Sequence, residues 1–153
     1  MVEVGQTVPD FSMPTDDVGT ISSDGLKGQI YVLYFYPKDD TPGCTTEAKD
    51  FTELKSQFNA TGVTVIGVSK DTLAKHEKFR AKHELSVLLA SDEDGAACEA
   101  FGVWVEKNMY GRKYMGIERA TFLIDASGIV QNVWRKVKVK GHVDAVLDAA
   151  QSL

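Results

Sequence analysis

Cysteine and histidine are scarce in this sequence, with two cysteines and three histidines among 153 residues. Two cysteines cannot form the disulfide framework of a small secreted protein. No Cys-x-x-Cys motif is present, since Thr41 and Glu47 stand three residues before and after Cys44, and this disfavours a thiol–disulfide oxidoreductase. His76 and His83 could share a helix face, but two histidines without a third ligand make a poor metal site. We therefore predict no metal and place both histidines at the solvated surface.

Long apolar runs and an excess of positive charge are also absent. No stretch approaches the roughly 20 apolar residues that cross a bilayer, and the first residues show neither a basic segment nor a signal-peptide apolar region. The formal net charge of −5 argues against a nucleic-acid partner. We therefore expect a cytoplasmic protein that binds neither nucleic acid nor membrane.

The remaining composition is that of a globular protein, with 43% hydrophobic and 25% charged residues. A chain of this length can bury roughly 70% of its unfolded surface without a disulfide or metal. The sequence contains no internal repeat, linker or low-complexity tract. Residues 1–153 are therefore predicted to form one domain.

Strand and helix patterns alternate along the chain. The run from Ile30 to Tyr36 is wholly apolar and aromatic, which is typical of a central strand buried on both faces. The other predictions are short strands near 11–13 and 20–22, strands over 63–69, 87–90, 119–125 and 129–134, helices over 41–60, 72–84, 95–101 and 142–152, and a long ordered loop over 102–118. This order indicates a three-layer α/β domain with a right-handed βαβ unit and a mixed sheet.

The segment that follows the central strand has the features of a reactive-thiol site. Pro37 ends the strand because it has no N–H for the ladder. Thr41 suits a helix N-cap and Pro42 the first helical position, so Cys44 falls in the first turn. The free N–H groups and macrodipole there favour a thiolate. A free cysteine packed as a small hydrophobe is the alternative, but this position favours a reactive sulfur, which we expect to be open to solvent.

A nucleophilic thiolate also needs a group that holds the substrate and a fixed positive charge. Thr41 can direct its hydroxyl into the same pocket, and an arginine is the suitable cation because it stays protonated and offers a fork of donors. Spacing alone leaves four arginines open: Arg80, Arg112, Arg119 and Arg135. Asp39 and Asp40 would oppose thiolate formation if they pointed inward, so we expect both to face solvent.

Pro37, Thr41 and Cys44 have the Pro-x-x-x-Thr-x-x-Cys spacing of the peroxiredoxin active-site signature. The longer segment 35–48 resembles the Q, or bacterioferritin-comigratory-protein, subfamily. Further matching segments lie far apart in the chain, at 5–11, 67–71, 101–104 and 119–125, the last being an Arg-x-Thr-Phe-Leu-Ile-Asp motif. The resemblance therefore covers nearly the whole chain.

This resemblance implies an α/β, thioredoxin-like fold, with a mixed central β-sheet flanked by helices. It also implies an antioxidant enzyme that reduces hydrogen peroxide and organic hydroperoxides without a cofactor. By the same resemblance, Cys44 is the peroxidatic thiolate that becomes a sulfenic acid, and Thr41 hydrogen-bonds the peroxide. Arg119 stabilises the thiolate and the transition state, and Pro37 shields the sulfur from water. Since the subfamily contains many monomers, we expect a monomer.

The chain departs from the subfamily at the resolving cysteine. Many members carry it five residues after the peroxidatic one, where this chain has Lys49, and others carry it in the next helix, where residues 76–80 include no cysteine. The remaining thiol, Cys98, is predicted to pack inward from its helix. We therefore predict a one-cysteine cycle in which thioredoxin, glutaredoxin or a small thiol reduces the sulfenic acid. A two-cysteine cycle with Cys98 as resolving thiol is the alternative.

A non-catalytic module or holdase with the same fold is the competing class of function. It would have no use for a combined set of Pro37, Thr41, Cys44 and Arg119. That combination therefore favours an enzyme over a binding module.

Overall fold

The structure is a computed structural model that describes residues 2–153. Its helices are α1 (Pro42–Glu53), α2 (Lys55–Ala60), α3 (Leu73–His83), α4 (Ala96–Ala100) and α5 (His142–Gln151). Its strands are β1 (Ser12–Pro14), β2 (Thr20–Ser22), β3 (Ile30–Phe35), β4 (Val63–Ser69), β5 (Leu88–Ser91), β6 (Trp104–Met109), β7 (Arg112–Ile117), β8 (Ala120–Ile124) and β9 (Val130–Trp134). No helix in this part of the chain combines the length and the apolar character that a membrane crossing requires.

Five strands form a mixed central sheet in the order β5-β4-β3-β8-β9. β3 lies parallel to β4, and β4 lies parallel to β5. β8 runs antiparallel to both β3 and β9. The apolar strand β3 is thus central, as its composition predicts, and the mixed sheet flanked by helices confirms the predicted fold class.

The central sheet separates two hydrophobic clusters, because successive side chains of a strand point to opposite faces. Tyr31, Leu33 and Phe35 of β3 belong to one cluster, together with Cys98 of α4. The alternate β3 residues belong to the second cluster with Cys44 of α1 and Val146 of α5. The two cysteines therefore lie in the cores on opposite faces of the sheet.

The largest difference from the predicted elements is a β-hairpin in place of the long loop over 102–118. β6 and β7 pair antiparallel from Trp104 opposite Ile117 to Met109 opposite Arg112. Both turn residues, Tyr110 and Gly111, have positive φ, at 54° and 80°, as tight hairpin turns favour. Most residues of the two strands are exposed or half-buried on both sides. The sequence therefore lacks the alternation that marks a strand with one buried face, and the loop prediction was wrong.

The helix predicted over 41–60 is divided into α1 and α2 at Leu54, whose backbone leaves the helical region. The other predicted strands and helices are present within one residue of their predicted ends, a difference no larger than the usual uncertainty of element boundaries.

Candidate active site

Residues 37–41 between β3 and α1 form the active-site loop, which leads into the helix N-terminus that carries Cys44. Tyr36 still donates to the carbonyl of Val68 on β4 at 3.0 Å, and the chain leaves the sheet after it. Thr41 is the N-cap residue with extended backbone angles, and a proline follows in the first helical position. Cys44 is thus the third residue of α1, which confirms its predicted place in the first turn.

The side chain of Thr41 does not cap α1. Its hydroxyl donates instead to the backbone carbonyl of Lys38 at 2.9 Å. This bond fixes the hydroxyl hydrogen and leaves the oxygen lone pairs able to accept a hydrogen bond. Thr41 is half-buried, and Pro37 is exposed at the start of the same loop.

Arg119 is the arginine that the fold brings to Cys44. It immediately precedes β8, and Ala120 of β8 lies opposite Phe35 at the end of β3, so the start of β8 adjoins the active-site loop. The Arg119 Nη2 atom lies 3.3 Å from the Cys44 sulfur, and Nη1 lies 2.7 Å from Glu47 Oε1. The other arginines are engaged or placed elsewhere: Arg80 pairs with Asp16, Arg135 pairs with Glu118, and Arg112 lies on the exposed β7.

Gly43 makes room for this guanidinium. A Cβ atom built at position 43 would stand 3.2 Å from Arg119 Nη2, closer than ordinary van der Waals contact. Any side chain at this position would therefore push the guanidinium by a few tenths of an ångström. Glycine avoids that displacement.

Glu47 is the acidic member of this cluster, and sequence reasoning assigned it no role. It is fully buried, and burial raises the pKa of its carboxyl to about 7, although the charge and hydrogen bond of Arg119 oppose the shift. Its Oε2 atom has no hydrogen-bond partner among residues 2–153, and His142 Nε2 lies 4.0 Å away. Glu47 stands three residues after Cys44 in one helix, so the two side chains share a face. That spacing was the signal that could have identified it.

The surroundings of the site shift the pKa values of its two basic members in opposite directions. Burial lowers the pKa of Arg119, but the negative charges of Glu47 and Cys44 outweigh this effect and raise it. The β6–β7 hairpin brings Lys107 into the same field. Burial and the charge of Arg119 lower the pKa of Lys107, while the charge of Cys44 opposes the shift.

The expectation of a sulfur open to solvent is wrong for this conformation, because Cys44 is only 1% exposed. Arg119, directly before β8, contacts it, and α1 packs it into the second hydrophobic cluster. The fold therefore leaves almost none of this residue in contact with solvent. The burial comes from packing between distant segments, which the local sequence around Cys44 does not report.

Two other expectations about exposure are also wrong. Asp39 is buried, with its Oδ1 accepting from the Tyr36 hydroxyl and its Oδ2 lying 2.6 Å from His76 Nδ1. His76 is fully buried instead of solvated. Asp40 is exposed as expected and pairs with the half-buried His83. Because α3 packs beside the active-site loop, Asp39 and His76 contact each other inside the protein.

Comparison with known proteins identifies the family. The AhpC/TSA family matches residues 4–133 of the chain. The chain belongs to this AhpC/TSA family. Among curated peroxiredoxins, it is 53% identical over 146 residues to the putative peroxiredoxin bcp of Coxiella burnetii, covering 95% of this chain and 97% of that protein. It is 47% identical over 152 residues to peroxiredoxin Bcp of Bacillus subtilis, covering 99% and 97%.

A solved structure agrees with these sequence matches. The bacterioferritin comigratory protein of Xanthomonas campestris, studied for its alkyl peroxide reduction activity, superposes with a TM-score of 0.90 at 43% identity, covering 99% of this chain and 97% of that one. The predicted resemblance is confirmed: the chain is a peroxiredoxin with a thioredoxin-like fold, and its enzymatic class is thiol peroxidase.

The second thiol of this peroxiredoxin is packed inward, as predicted. Cys98 is fully buried, and burial together with the nearby Asp92 carboxylate raises the pKa of its thiol far above the ordinary value. Asp92 accepts hydrogen bonds from the backbone N–H groups of Ala97 and Cys98 at 3.0 and 2.8 Å. These hydrogen bonds stabilise α4, while burial and the nearby carboxylate favour the neutral form of the Cys98 sulfur.

Proposed function

We propose that this peroxiredoxin reduces hydrogen peroxide and organic hydroperoxides at Cys44 through a one-cysteine cycle. The observation that carries the proposal is the guanidinium of Arg119, 3.3 Å from a sulfur in the first turn of α1. A fixed cation and a helix N-terminus both favour the thiolate, which is the nucleophile. Pro37 and Thr41 complete the proposed set of catalytic residues.

In the first half of the cycle, the Cys44 thiolate attacks the terminal oxygen of the hydroperoxide. A sulfur–oxygen bond forms as the oxygen–oxygen bond breaks, and the bonding electron pair leaves with the alkoxide or hydroxide, which takes a proton. Arg119 stabilises the charge that moves onto the leaving oxygen, where a preorganised donor has most effect. The Thr41 hydroxyl oxygen accepts a hydrogen bond from the peroxide, and Pro37 shields the sulfur from water. The product is a Cys44 sulfenic acid.

In the second half, a thiol from outside the chain attacks the sulfenic acid, forms a mixed disulfide and releases water. A second thiol then reduces this disulfide, so two electrons enter for each peroxide consumed. Two features support an external thiol over Cys98. The Cys98 thiol is buried with a raised pKa, and it lies in the core on the opposite face of the central sheet from Cys44. Thioredoxin, glutaredoxin and small thiols are the candidate reductants.

The test is peroxide consumption with dithiothreitol by wild type, Cys44→Ser and Cys98→Ser. We expect Cys44→Ser to lose turnover completely and Cys98→Ser to stay within about twofold of wild type, since the buried Cys98 thiol is unreactive. A disulfide exchanger would show no peroxide turnover in any of the three proteins, and a holdase would be indifferent to Cys44→Ser.

The cycle itself is checked by non-reducing mass spectrometry after one equivalent of peroxide. We expect a sulfenic acid on Cys44 that dimedone traps. A Cys44–Cys98 disulfide would instead establish the two-cysteine cycle. Substituting thioredoxin, glutaredoxin and small thiols for dithiothreitol in turn then identifies the reductant.

A cytoplasmic location and a monomeric state remain predictions. Two free cysteines without a disulfide suit a reducing compartment, where the thiol reductants also occur. Fractionation of cells and sedimentation of the purified protein test the two predictions separately.

A further inference from the structure

A buried ion pair joins the active-site loop to α3, and the reaction at Cys44 does not consume it. His76 Nδ1 lies 2.6 Å from Asp39 Oδ2, and the two side chains are 0% and 5% exposed. Asp39 lies within the active-site loop, two residues before Thr41. A buried pair of this kind is costly to form and strongly destabilising to break on one side only. Because the pair lies beside the active-site loop, it is placed to act on that loop.

The donors and acceptors around His76 determine its protonation. Nε2 lies 2.9 Å from the backbone oxygen of Ala90, which can only accept, so Nε2 carries a hydrogen. Nδ1 faces a carboxylate oxygen, so a second proton must lie between His76 and Asp39. Without that proton, a nitrogen lone pair would face the carboxylate at 2.6 Å. The contact therefore exists only while the pair holds this proton.

Asp39 is fixed on its other sides as well. Its Oδ1 accepts from the Tyr36 hydroxyl at 2.6 Å, and its backbone N–H donates to Asp71 Oδ2 at 2.8 Å. Asp71 Oδ2 also accepts from the Ser69 hydroxyl at 2.7 Å. One loop residue thus bonds to the end of β3, to the segment after β4 and to α3. The position of the loop relative to the sheet depends on this residue.

We propose that His76 is a positioning residue of the peroxidase: by pairing with Asp39 it holds the active-site loop in the closed arrangement that places Cys44 against Arg119. The proposal rests on the proposed role of Cys44. The pair therefore sets the balance between this closed, catalytic arrangement of the loop and an open one in which Cys44 is no longer held against Arg119.

This balance depends on pH with a defined sign. Burial lowers the pKa of His76, but the hydrogen bond and charge of Asp39, the Ala90 carbonyl and the charge of Asp71 outweigh it, so the pKa is raised. Asp39 and Asp71 are the charged groups that face His76 from other segments, and on α3 the nearby Arg80 is engaged by Asp16. A raised pKa means that the stabilisation is complete below the unfolded value and is lost as pH rises through the folded value. We therefore expect the loop to open more often in alkaline solution.

The chain supplies a matched control in a second histidine–aspartate pair between the same helix and the same loop. His83 Nε2 lies 2.7 Å from Asp40 Oδ1, but these side chains are 16% and 43% exposed, and Lys82 contacts the same carboxylate. Solvent screens such a pair, and its loss costs little. His83→Asn therefore removes a histidine–aspartate contact without removing the buried anchor.

Hydrogen exchange measured by mass spectrometry tests the proposal without relying on turnover. In His76→Gln, whose amide can keep the bond to the Ala90 carbonyl, we expect exchange of the amides of residues 38–44 to rise at least about tenfold. The amides of β3 should be unchanged. Iodoacetamide should alkylate Cys44 faster while peroxide oxidises it more slowly, because the loop is open but no longer positioned. His83→Asn should stay within about twofold of wild type in each measurement.

The pH series supplies the second measurement. After correction for intrinsic exchange, loop opening in the wild type should increase as pH rises through the pKa of His76, and this step should be missing in His76→Gln. Asp39→Asn, whose amide can donate to a neutral imidazole, should keep the loop closed and also lack the step. This isosteric variant, with the wild-type series, tests the proposal even if His76→Gln fails to fold.

Three results would overturn the proposal: unchanged loop exchange in His76→Gln, a rise shared equally by β3, or an equal effect of His83→Asn. A shared rise would indicate a loss of global stability instead of local anchoring. If Cys44 proved inactive towards peroxide, the exchange data would still decide the role of His76, so the two failures are distinguishable.

Discussion

The two cysteines occupy equivalent places in two helices and have opposite surroundings. Cys44 is the third residue of α1, and Cys98 is the third residue of α4. They are 1% and 0% exposed, so burial does not separate them. At α1 no side chain caps the free N–H groups, and a guanidinium lies 3.3 Å from the sulfur. At α4 a carboxylate takes the N–H groups of the cysteine and of the residue before it.

The comparison teaches that the sign of the nearest fixed charge, together with free helix N–H groups, distinguishes the surroundings of the proposed reactive thiol from those of Cys98. Each cysteine also has an acidic neighbour. Glu47 beside Cys44 is engaged by Arg119, whereas Asp92 beside Cys98 raises the pKa of that thiol. A carboxylate close to a thiolate is therefore tolerated when a cation lies between them.

The strongest test of this comparison removes the cation. Arg119→Met should lower the rate of Cys44 oxidation by peroxide roughly 10²- to 10³-fold, as the loss of a preorganised donor does in other active sites. It should also slow the alkylation of Cys44 by iodoacetamide at neutral pH, because the thiolate loses its nearby positive charge. Stopped-flow oxidation and the rate of iodoacetamide alkylation measure the two effects.

Arg112→Met on the exposed strand β7 removes a positive charge but leaves the Arg119 contact with the sulfur in place, and it serves as the control, with an expected rate within about twofold of wild type. If both variants behaved alike, net charge and not the contact with Cys44 would explain the rate. The distinction between the two cysteines would then need another cause.

A second, smaller effect is expected from Glu47→Gln, which keeps an acceptor for Arg119 and removes the carboxylate charge. Because folding raises the pKa of Glu47 to about 7 from 4.5, the native state binds more protons than the unfolded state between these values. The free energy of unfolding therefore falls as pH rises through this window, by on the order of 3 kcal/mol at most. The glutamine variant should lack this slope. Urea denaturation at about pH 5 and about pH 8 measures the difference.

His142 contributes a slope of opposite sign in an overlapping window, because burial lowers its pKa to about 4 from 6.5. The quantity to compare is therefore the difference between wild type and variant at each pH. Glu53→Gln, on the same helix but exposed, is the control and should reproduce the wild-type slope. A wild-type slope retained in Glu47→Gln would show that the Glu47 carboxyl is not the titrating group.

Sequence predicted those parts of the site that depend on neighbours along the chain. The apolar run of β3, the strand-ending Pro37 and the helix-starting Thr41-Pro42 are local signals, so the place of Cys44 in the first turn was predictable. The choice of Arg119 came from the family resemblance, since spacing left four arginines open. In the fold, Ala120 pairs with Phe35 at the end of β3, and this register brings the preceding Arg119 to the active-site loop.

The missed features depend on contacts between distant segments. His76 and Asp39 have the polar character of surface residues, and only the packing of α3 beside the active-site loop joins them. In the sequence, Glu47 resembles any polar residue of a helix. Only the fold brings it into contact with Arg119, which directly precedes β8. The β6–β7 hairpin was missed for a different reason, because it buries neither face well and so has no alternating pattern.

The smallest expected effect concerns the inert cysteine. Asp92→Asn removes the charge that raises the pKa of Cys98 and weakens the hydrogen bonds at the start of α4, so we expect a loss of about 1 kcal/mol of stability. Cys98 should still be alkylated far more slowly than Cys44, because no cation replaces the lost carboxylate and the sulfur stays buried. Asp94→Asn is the control, since Asp94 accepts from the N–H of Ala96 in the same turn but is exposed. If Asp92→Asn instead made Cys98 as reactive as Cys44, or allowed a Cys44–Cys98 disulfide after peroxide, Asp92 alone would separate the two thiols, and the role assigned to Arg119 would be too large.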